Sequence, residues 1–216
     1  MRIGLFDEGI PVEGVFDIIV ADPPWRSDFG RTDSRSAERH YPTMPLQDIE
    51  ALQLPAAPDA LLFLWSPPSM LAQALRVMRA WGFSYRTSGV WCKTTRSSEP
   101  RPIMGGGQWF RAGHELFLLG RRGAFRAPRT RGTVVPRGVV HAPRRDHSEK
   151  PEGLQDMIEQ TYPGLRYLEL FARRERPGWT CWGNEVMSGP TTTDGWRHAT
   201  RSERRRLLSH PQEVSP

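Results

Sequence analysis

The stretch DIIVADPPWRSDFG, residues 17–30, joins a short apolar run to a rigid stop. DIIVA is brief and β-branched, the pattern of a strand buried on both faces. Pro23 and Pro24 lock φ and lack an amide donor, so neither continues a central strand nor sits in a helix interior. The sequence therefore builds a strand and ends it abruptly, with the Asp22 carboxylate and the Trp25 indole at its C-terminal edge. In open α/β sheets that edge is where ligands bind. Asp-Pro also begins ordinary turns and Trp is often core, so the motif does not carry a function by itself.

Outward from this strand, elements alternate. Residues 43–53, TMPLQDIEALQ, have helical spacing with Thr43 as candidate N-cap. ALLFLW (60–65) reads as a second buried strand, stopped by Ser66-Pro67-Pro68. Residues 69–83 form an amphipathic helix with Leu71, Leu75, Met78 and Trp81 along one side and Gly82 as its stop. Further strands are expected at 85–93, 114–122, 166–172 and 178–185, with an edge strand broken by Pro136 at 132–142 and a helix at 150–162. Such alternation predicts an α/β fold, a mostly parallel sheet with helices on both faces.

The 216 residues suffice for one domain with a substantial core. No apolar run approaches the ~18–20 residues of a membrane span, and the N-terminus lacks the basic-then-apolar pattern of a secretory signal. Cys92 and Cys181 are too few for a disulfide framework or a cysteine zinc site, so a reducing, cytoplasmic setting is the default. His114 and His147 have no ligand-spaced neighbours, and no metal is expected. The net charge of +6 points to a polyanionic partner. From Arg121 to Arg145 the chain holds eight arginines and no carboxylate, interspersed with Gly and Pro. Arginines on loops suit phosphate contact, although such a run is also the ordinary make-up of a solvated face.

Two regions break the alternation. Residues 94–113, TTRSSEPRPIMGGGQWFRAG, show little periodicity and are expected to be a substrate-side loop. A domain is expected over 1–186 and a basic tail over 187–216.

Eight ordered blocks carry a resemblance: DPPW, YPTM (41–44), LFLW (62–65), AWGF (80–83), VWCKT (90–94), GHELFLLGRRG (113–123), HSEKP (147–151) and LELFARRERPGWTCWGNE (168–185). Together they resemble the N6-adenine methyltransferases of the MT-A70 family from about Phe16 to Glu185, and more the bacterial and phage members than the nuclear ones. The resemblance implies a Rossmann-like domain that uses S-adenosylmethionine, with permuted motifs: the catalytic block first, the cofactor block near the C-terminus. Asp22, Pro23, Pro24 and Trp25 would be that catalytic block.

The chemistry suits those residues. The exocyclic amine of adenine is a poor nucleophile because its lone pair is conjugated with the ring. Acceptors at its two hydrogens localise that pair, and the Asp22 carboxylate and Pro23 carbonyl can supply them. Attack in line with a sulfonium methyl then needs mainly positioning and electrostatics. Trp25 or Tyr41 offers a flat wall for a base drawn from its stack.

By the same resemblance, Lys150 would pair with the cofactor's methionine carboxylate, close to Asp22. Phe171 and Arg173 would pack its adenosine, and Asn184 and Glu185 would meet its ribose. Glu169 is expected to support the strand. Ala172 stands where the family often has glycine, and Asp7 is the acidic residue available upstream of the catalytic block. Lys93, Arg126, Arg129 and Arg131 are expected on the substrate side. The implied partner is nucleic acid, DNA before RNA, with a second copy or a paralogous subunit as a further partner. A second reading remains: a non-catalytic nucleic-acid-binding protein that keeps this fold.

Overall fold

The structure, a computed structural model, describes residues 10, 12–26, 43–106, 109–128, 135–145, 149–183 and 186–187. Strand β1, Phe16–Ala21, is buried at every position but Asp17. It lies between two parallel partners, β2 (Ala56–Ser66) and β6 (Tyr167–Leu170). Side chains of a strand alternate between faces, and here both faces are covered. Ile19 and Ala21 join one core cluster, Ile18 and Val20 the other. That is why the run is uninterrupted apolar rather than alternating.

The remaining strands are β3 (Ser84–Thr94), β4 (His114–Arg122), β5 (Val139–Pro143), β7 (Trp179–Gly183) and β8 (Val186–Met187). Across the sheet the order is β5-β3-β4-β2-β1-β6-β7-β8. Only β4 and β8 oppose the direction that the other six strands share, as the pairings with β2, β3 and β7 show. β5 lies at an edge, as the proline-broken segment predicts. β8 continues the sheet one residue beyond the expected boundary at 186.

Helices α1 (Leu46–Ala51) and α2 (Leu71–Ala80) bury Ile49, Ala74, Val77 and Met78 against one face. Helix α3 (Gly153–Thr161) buries Leu154 and Ile158 against the other. Two expectations are corrected. Pro45, not Thr43, precedes α1, and no side chain caps it. The buried stripe of α2 keeps Met78 and Trp81, with Leu75 half-buried against the core, but Ala74 and Val77 complete it while Leu71 is 39% exposed. Gly82, at φ +79°, does end the helix.

The chain leaves β1 toward β2 on one side, whereas β6 leads to β7 on the other. The crevice between β1 and β6 is thus a topological switch point, and Asp22 and Phe171 are the residues that follow these two strands. Because β4 runs backwards, its first residues, His114 and Glu115, share this edge with Lys93 and Thr94 at the end of β3.

Candidate active site

Four charged side chains alternate in sign beyond the strand ends. Lys150 Nζ lies 2.6 Å from Asp22 Oδ2 and 3.2 Å from Glu115 Oε2, and Lys93 Nζ lies 2.6 Å from Glu115 Oε1. Each element contributes by stopping at the right place: Asp22 by the diproline after β1, Lys93 at the end of β3, Glu115 at the start of β4, and Lys150 just ahead of α3. Trp65 and Trp91 lie beneath them, with Lys150 Nζ 5.7 Å from the first ring and Lys93 Nζ 5.0 Å from the second.

Burial pushes the Asp22 carboxyl above the ordinary aspartate range, and Glu115 nearby adds to the push; Lys150 and Arg173 oppose it without cancelling it. Burial acts the same way on Glu115, yet Lys150 and Lys93 together hold that carboxyl below its usual value. For Lys150 desolvation favours the neutral amine, and Asp22 with Glu115 outweigh it, so its pKa is raised. The ammonium therefore stays charged, while Asp22 is more basic than an ordinary aspartate and Glu115 less basic than an ordinary glutamate. Glu115 went unassigned in the sequence; a lone carboxylate opening an otherwise apolar strand was the signal for it.

The rest of the diproline block is held rigidly. The Trp25 amide donates to the Pro23 carbonyl at 2.8 Å, and the Met44 amide to the Pro24 carbonyl at 2.9 Å. Trp25 does not present an open face: it is 6% exposed, and its Nε1 donates to the Trp65 carbonyl at 3.1 Å. As folded it anchors the turn to the end of β2 instead of forming the wall expected for a base. The Pro23 carbonyl, expected as an acceptor for substrate, keeps one lone pair beyond its bond to Trp25.

At the end of β6, Phe171 has φ +63°, the one positive φ outside glycine among the described residues. A non-glycine residue in that region is a strained turn, and such strain gathers at ligand sites. Its ring lies 5.8 Å from that of Trp182. Gly183, at the end of the neighbouring β7, lets two backbones meet beside this turn: a Cβ there would run into the Ala172 backbone. Arg173 adjoins this turn and acts on Asp22 by charge. Glu169 faces Gln155 of α3, which hydrogen-bonds it, in keeping with a supporting role.

The described arginines of the arginine-rich span do not all gather at the site. Arg121 and Arg122 pair with Leu61 and Ala60, at the start of β2. The Ala124 amide donates to Asp59 at 2.6 Å, and Phe125 packs on Tyr162 at the far end of α3. Arg126 therefore lies about 20 Å away, the length of six or seven strand residues, on the opposite edge of the sheet from Asp22. Its expected place on the substrate side is corrected. Arg145 is engaged with Glu149 and Glu152 at 3.1 and 3.6 Å. Arg144, by contrast, adjoins the site edge, its amide donating to the Thr94 carbonyl at 2.9 Å. Asp7, Tyr41, Arg129, Arg131, His147, Asn184 and Glu185 lie outside the described residues.

The chain is similar to known proteins over most of its length. A family model described as MT-A70 matches residues 16–185. The type II methyltransferase M.MunI of Mycoplasma sp is 30% identical over 193 residues, spanning 79% of this chain and 78% of that protein. The N6-methyladenosine RNA methyltransferase MTA1 of Cryphonectria parasitica is 32% identical over 189 residues, 80% of this chain and 52% of its own length. The human N(6)-adenosine-methyltransferase catalytic subunit METTL3 is 28% identical over 180 residues, 82% of this chain but 29% of its own length.

Proposed function

The chain belongs to the MT-A70 family, and from that premise we propose that it transfers the methyl group of S-adenosylmethionine to the N6 amine of adenine in nucleic acid, DNA before RNA. The observation that carries this reading is the Asp22–Lys150 pair at the switch point between β1 and β6. An acid and an ammonium side by side complement the ammonium and carboxylate of the cofactor's methionine part. The donor set thus fits the cofactor, with Asp22 and Lys150 at the amino-acid end and Phe171 and Arg173 toward the adenosine. When bound, the cofactor supplies an electrophilic methyl group.

The chain's own residues prepare the amine. Lys150 takes Oδ2 of Asp22, and Oδ1 is the oxygen that a substrate amine would meet. An Asp22 made more basic by burial is a stronger acceptor for an N–H, so it pulls the lone pair out of ring conjugation. The second N–H would go to the Pro23 carbonyl, which the Trp25 amide and the buried indole hold in place. Glu115 shares the Lys150 ammonium, which keeps Asp22 from being fully neutralised by its partner.

The preference for DNA rests on the resemblance to bacterial members of the family, among which the type II methyltransferase M.MunI is 30% identical to this chain. The amine is identical in both nucleic acids, and contacts to the 2′-hydroxyl would make the difference. The test is transfer of labelled methyl to DNA and RNA oligonucleotides of one sequence, followed by digestion and separation of nucleosides. Label in N6-methyldeoxyadenosine supports the reading. Label in N6-methyladenosine alone overturns the DNA preference, and no label in any adenine overturns the activity.

A further inference from the structure

The segment between Lys93 and Glu115 is folded back on itself. The Thr95 amide donates to the Arg101 carbonyl at 2.9 Å, Thr94 bridges Pro102, and the Ile103 amide donates to the Lys93 carbonyl at 2.8 Å. Further out, the Gly105 amide donates to the Ala112 carbonyl at 2.8 Å and the Ala112 amide to the Gly106 carbonyl at 3.3 Å. Glycine is needed for this. A Cβ on Gly105 would sit 2.5 Å from the Ala112 oxygen, and one on Gly113 would run into the Ile103 oxygen. The two legs are pressed together, and Trp109 and Phe110 project from them into solvent.

That projection carries the most exposed large apolar side chains among the described residues. Trp109 is 89% exposed and Phe110 90%, with Met104 at 66%. Among the described residues nothing covers these two neighbouring rings. The same segment holds Arg96, Arg101 and Arg111 against the single carboxylate Glu99, and Arg96 donates to the Arg144 carbonyl at 3.0 Å. Aromatic rings amid arginines at the end of a basic edge fit a strand of nucleic acid. A second copy of the chain fits less well. Two rings bury about 300–500 Å², short of the roughly 800 Å² per partner that a stable protein interface needs.

We propose that Trp109 and Phe110 are a stacking platform for bases that flank the target nucleotide, with the neighbouring arginines on its phosphates. The proposal rests on the nucleic-acid reading above. Four residue steps lead from Gly113 to Trp109, a reach of at most about 13 Å. At about 3.4 Å per nucleotide along a strand, the platform meets bases within about four steps of the adenine in the site. It lends affinity that is nearly independent of sequence, because every base has a π face.

The test pairs contact with affinity. Oligonucleotides carrying 5-iodouracil at successive steps from a single adenine are photo-cross-linked to the full chain, and the modified peptide is identified by mass spectrometry. In parallel, binding of the same oligonucleotides to wild type, Trp109→Ala/Phe110→Ala and Trp109→Phe is followed by fluorescence anisotropy, with S-adenosylmethionine affinity as the control. Cross-links at Trp109 or Phe110 from within about five steps, a loss of affinity of about tenfold or more in the double variant, and retention in Trp109→Phe support the platform. A wild type that binds and methylates, with no cross-link there and a double variant within twofold of it, overturns the platform and leaves the reading of the activity standing. A double variant that turns a dimer into a monomer on sedimentation while keeping oligonucleotide affinity assigns the rings to a second copy and overturns it too. A wild type that binds no oligonucleotide takes down the nucleic-acid reading and the platform together. The two rings are almost wholly in solvent, so their removal is not expected to unfold the chain.

Discussion

Glu115→Gln keeps the shape of the side chain and removes the charge that two lysines share. Lys93 Nζ lies 2.6 Å from one oxygen and Lys150 Nζ 3.2 Å from the other, and all three side chains are less than a quarter exposed. A hydrogen bond to a charged group is worth about 1.5–3 kcal/mol. The amide keeps one acceptor oxygen, so the lower part of that range applies, about 1.5–2 kcal/mol. For a domain of this size each kcal/mol moves Tm by about 2–4 °C. The variant is therefore expected to melt about 3–8 °C lower in a circular-dichroism scan at neutral pH. Because the Glu115 pKa is lowered on folding, its stabilisation is present above the ordinary glutamate range and is lost as pH falls through the depressed value. The gap in Tm should accordingly close on acidification. The effect on rate is separate. With Glu115 neutral, the Lys150 ammonium turns to Asp22 and competes with the substrate amine for the carboxylate. About 1.4 kcal/mol of added competition slows transfer about tenfold. Single-turnover transfer at saturating cofactor reads this directly, with cofactor affinity little changed. A rate within twofold of wild type, with Tm within about 1 °C, would refute the partition of Lys150 between the two acids.

Asp22→Asn is expected to cost on the order of 10²-fold or more in transfer rate. Its Tm should not fall at neutral pH, because a carboxyl whose pKa is raised on folding weighs against the folded state once ionised; a rate within a few-fold of wild type would remove Asp22 from the mechanism. Lys150→Gln should weaken S-adenosylmethionine binding by about 1.5–3 kcal/mol in titration calorimetry. It should also move the acid limb of the transfer rate to higher pH, since Lys150 is the main group opposing the upward push on Asp22; unchanged affinity and an unmoved limb would sink both roles. Asp17→Asn removes the paired bonds from Arg166 at 2.7 and 2.9 Å that tie the starts of β1 and β6 together. The Asp17 pKa is lowered, so a small loss of Tm is expected at neutral pH and should vanish as the wild-type carboxyl protonates below the ordinary aspartate range; a loss that persists in acid would mean that the ion pair is not its source.

The strands were legible because their composition reports burial on both faces, and Asp22 was legible because a diproline stops a strand in one way only. The helix stripe of α2 was legible in part: Met78 and Trp81 are buried as expected, whereas Leu71 is exposed and Ala74 and Val77 take the remaining core positions. Trp25 looked like a stacking wall because an indole beside a carboxylate is chemically suited to one. What decided its place was the Trp65 carbonyl, 40 residues away in sequence, which takes its N–H. The hairpin at 94–113 had no hydrophobic period to announce it. Its order comes from glycines that let two backbones touch, a reason invisible in a pattern of apolar residues.

The arginines show why charge along the chain does not translate into charge at a site. Eight arginines in 25 residues read as one basic patch. Yet β4 opposes its neighbours, so the residues that begin it, His114 and Glu115, stand at the active edge while Arg121 and Arg122 end it on the other. Among the described residues, β5 then brings Arg144 and Arg145 to the active edge, and the second is bound by two glutamates. The direction of a single strand thus divides the run between two edges of the sheet. Strand direction depends on which partner the strand pairs with, and no local pattern in HELFLLGRR encodes it. On the proposed reading, the described arginines that would meet a substrate are those in and beside the hairpin, Arg96, Arg101, Arg111 and Arg144, and they are dispersed over nearly 50 residues of sequence. A basic surface at this site is assembled by topology, from arginines too scattered to stand out as a run.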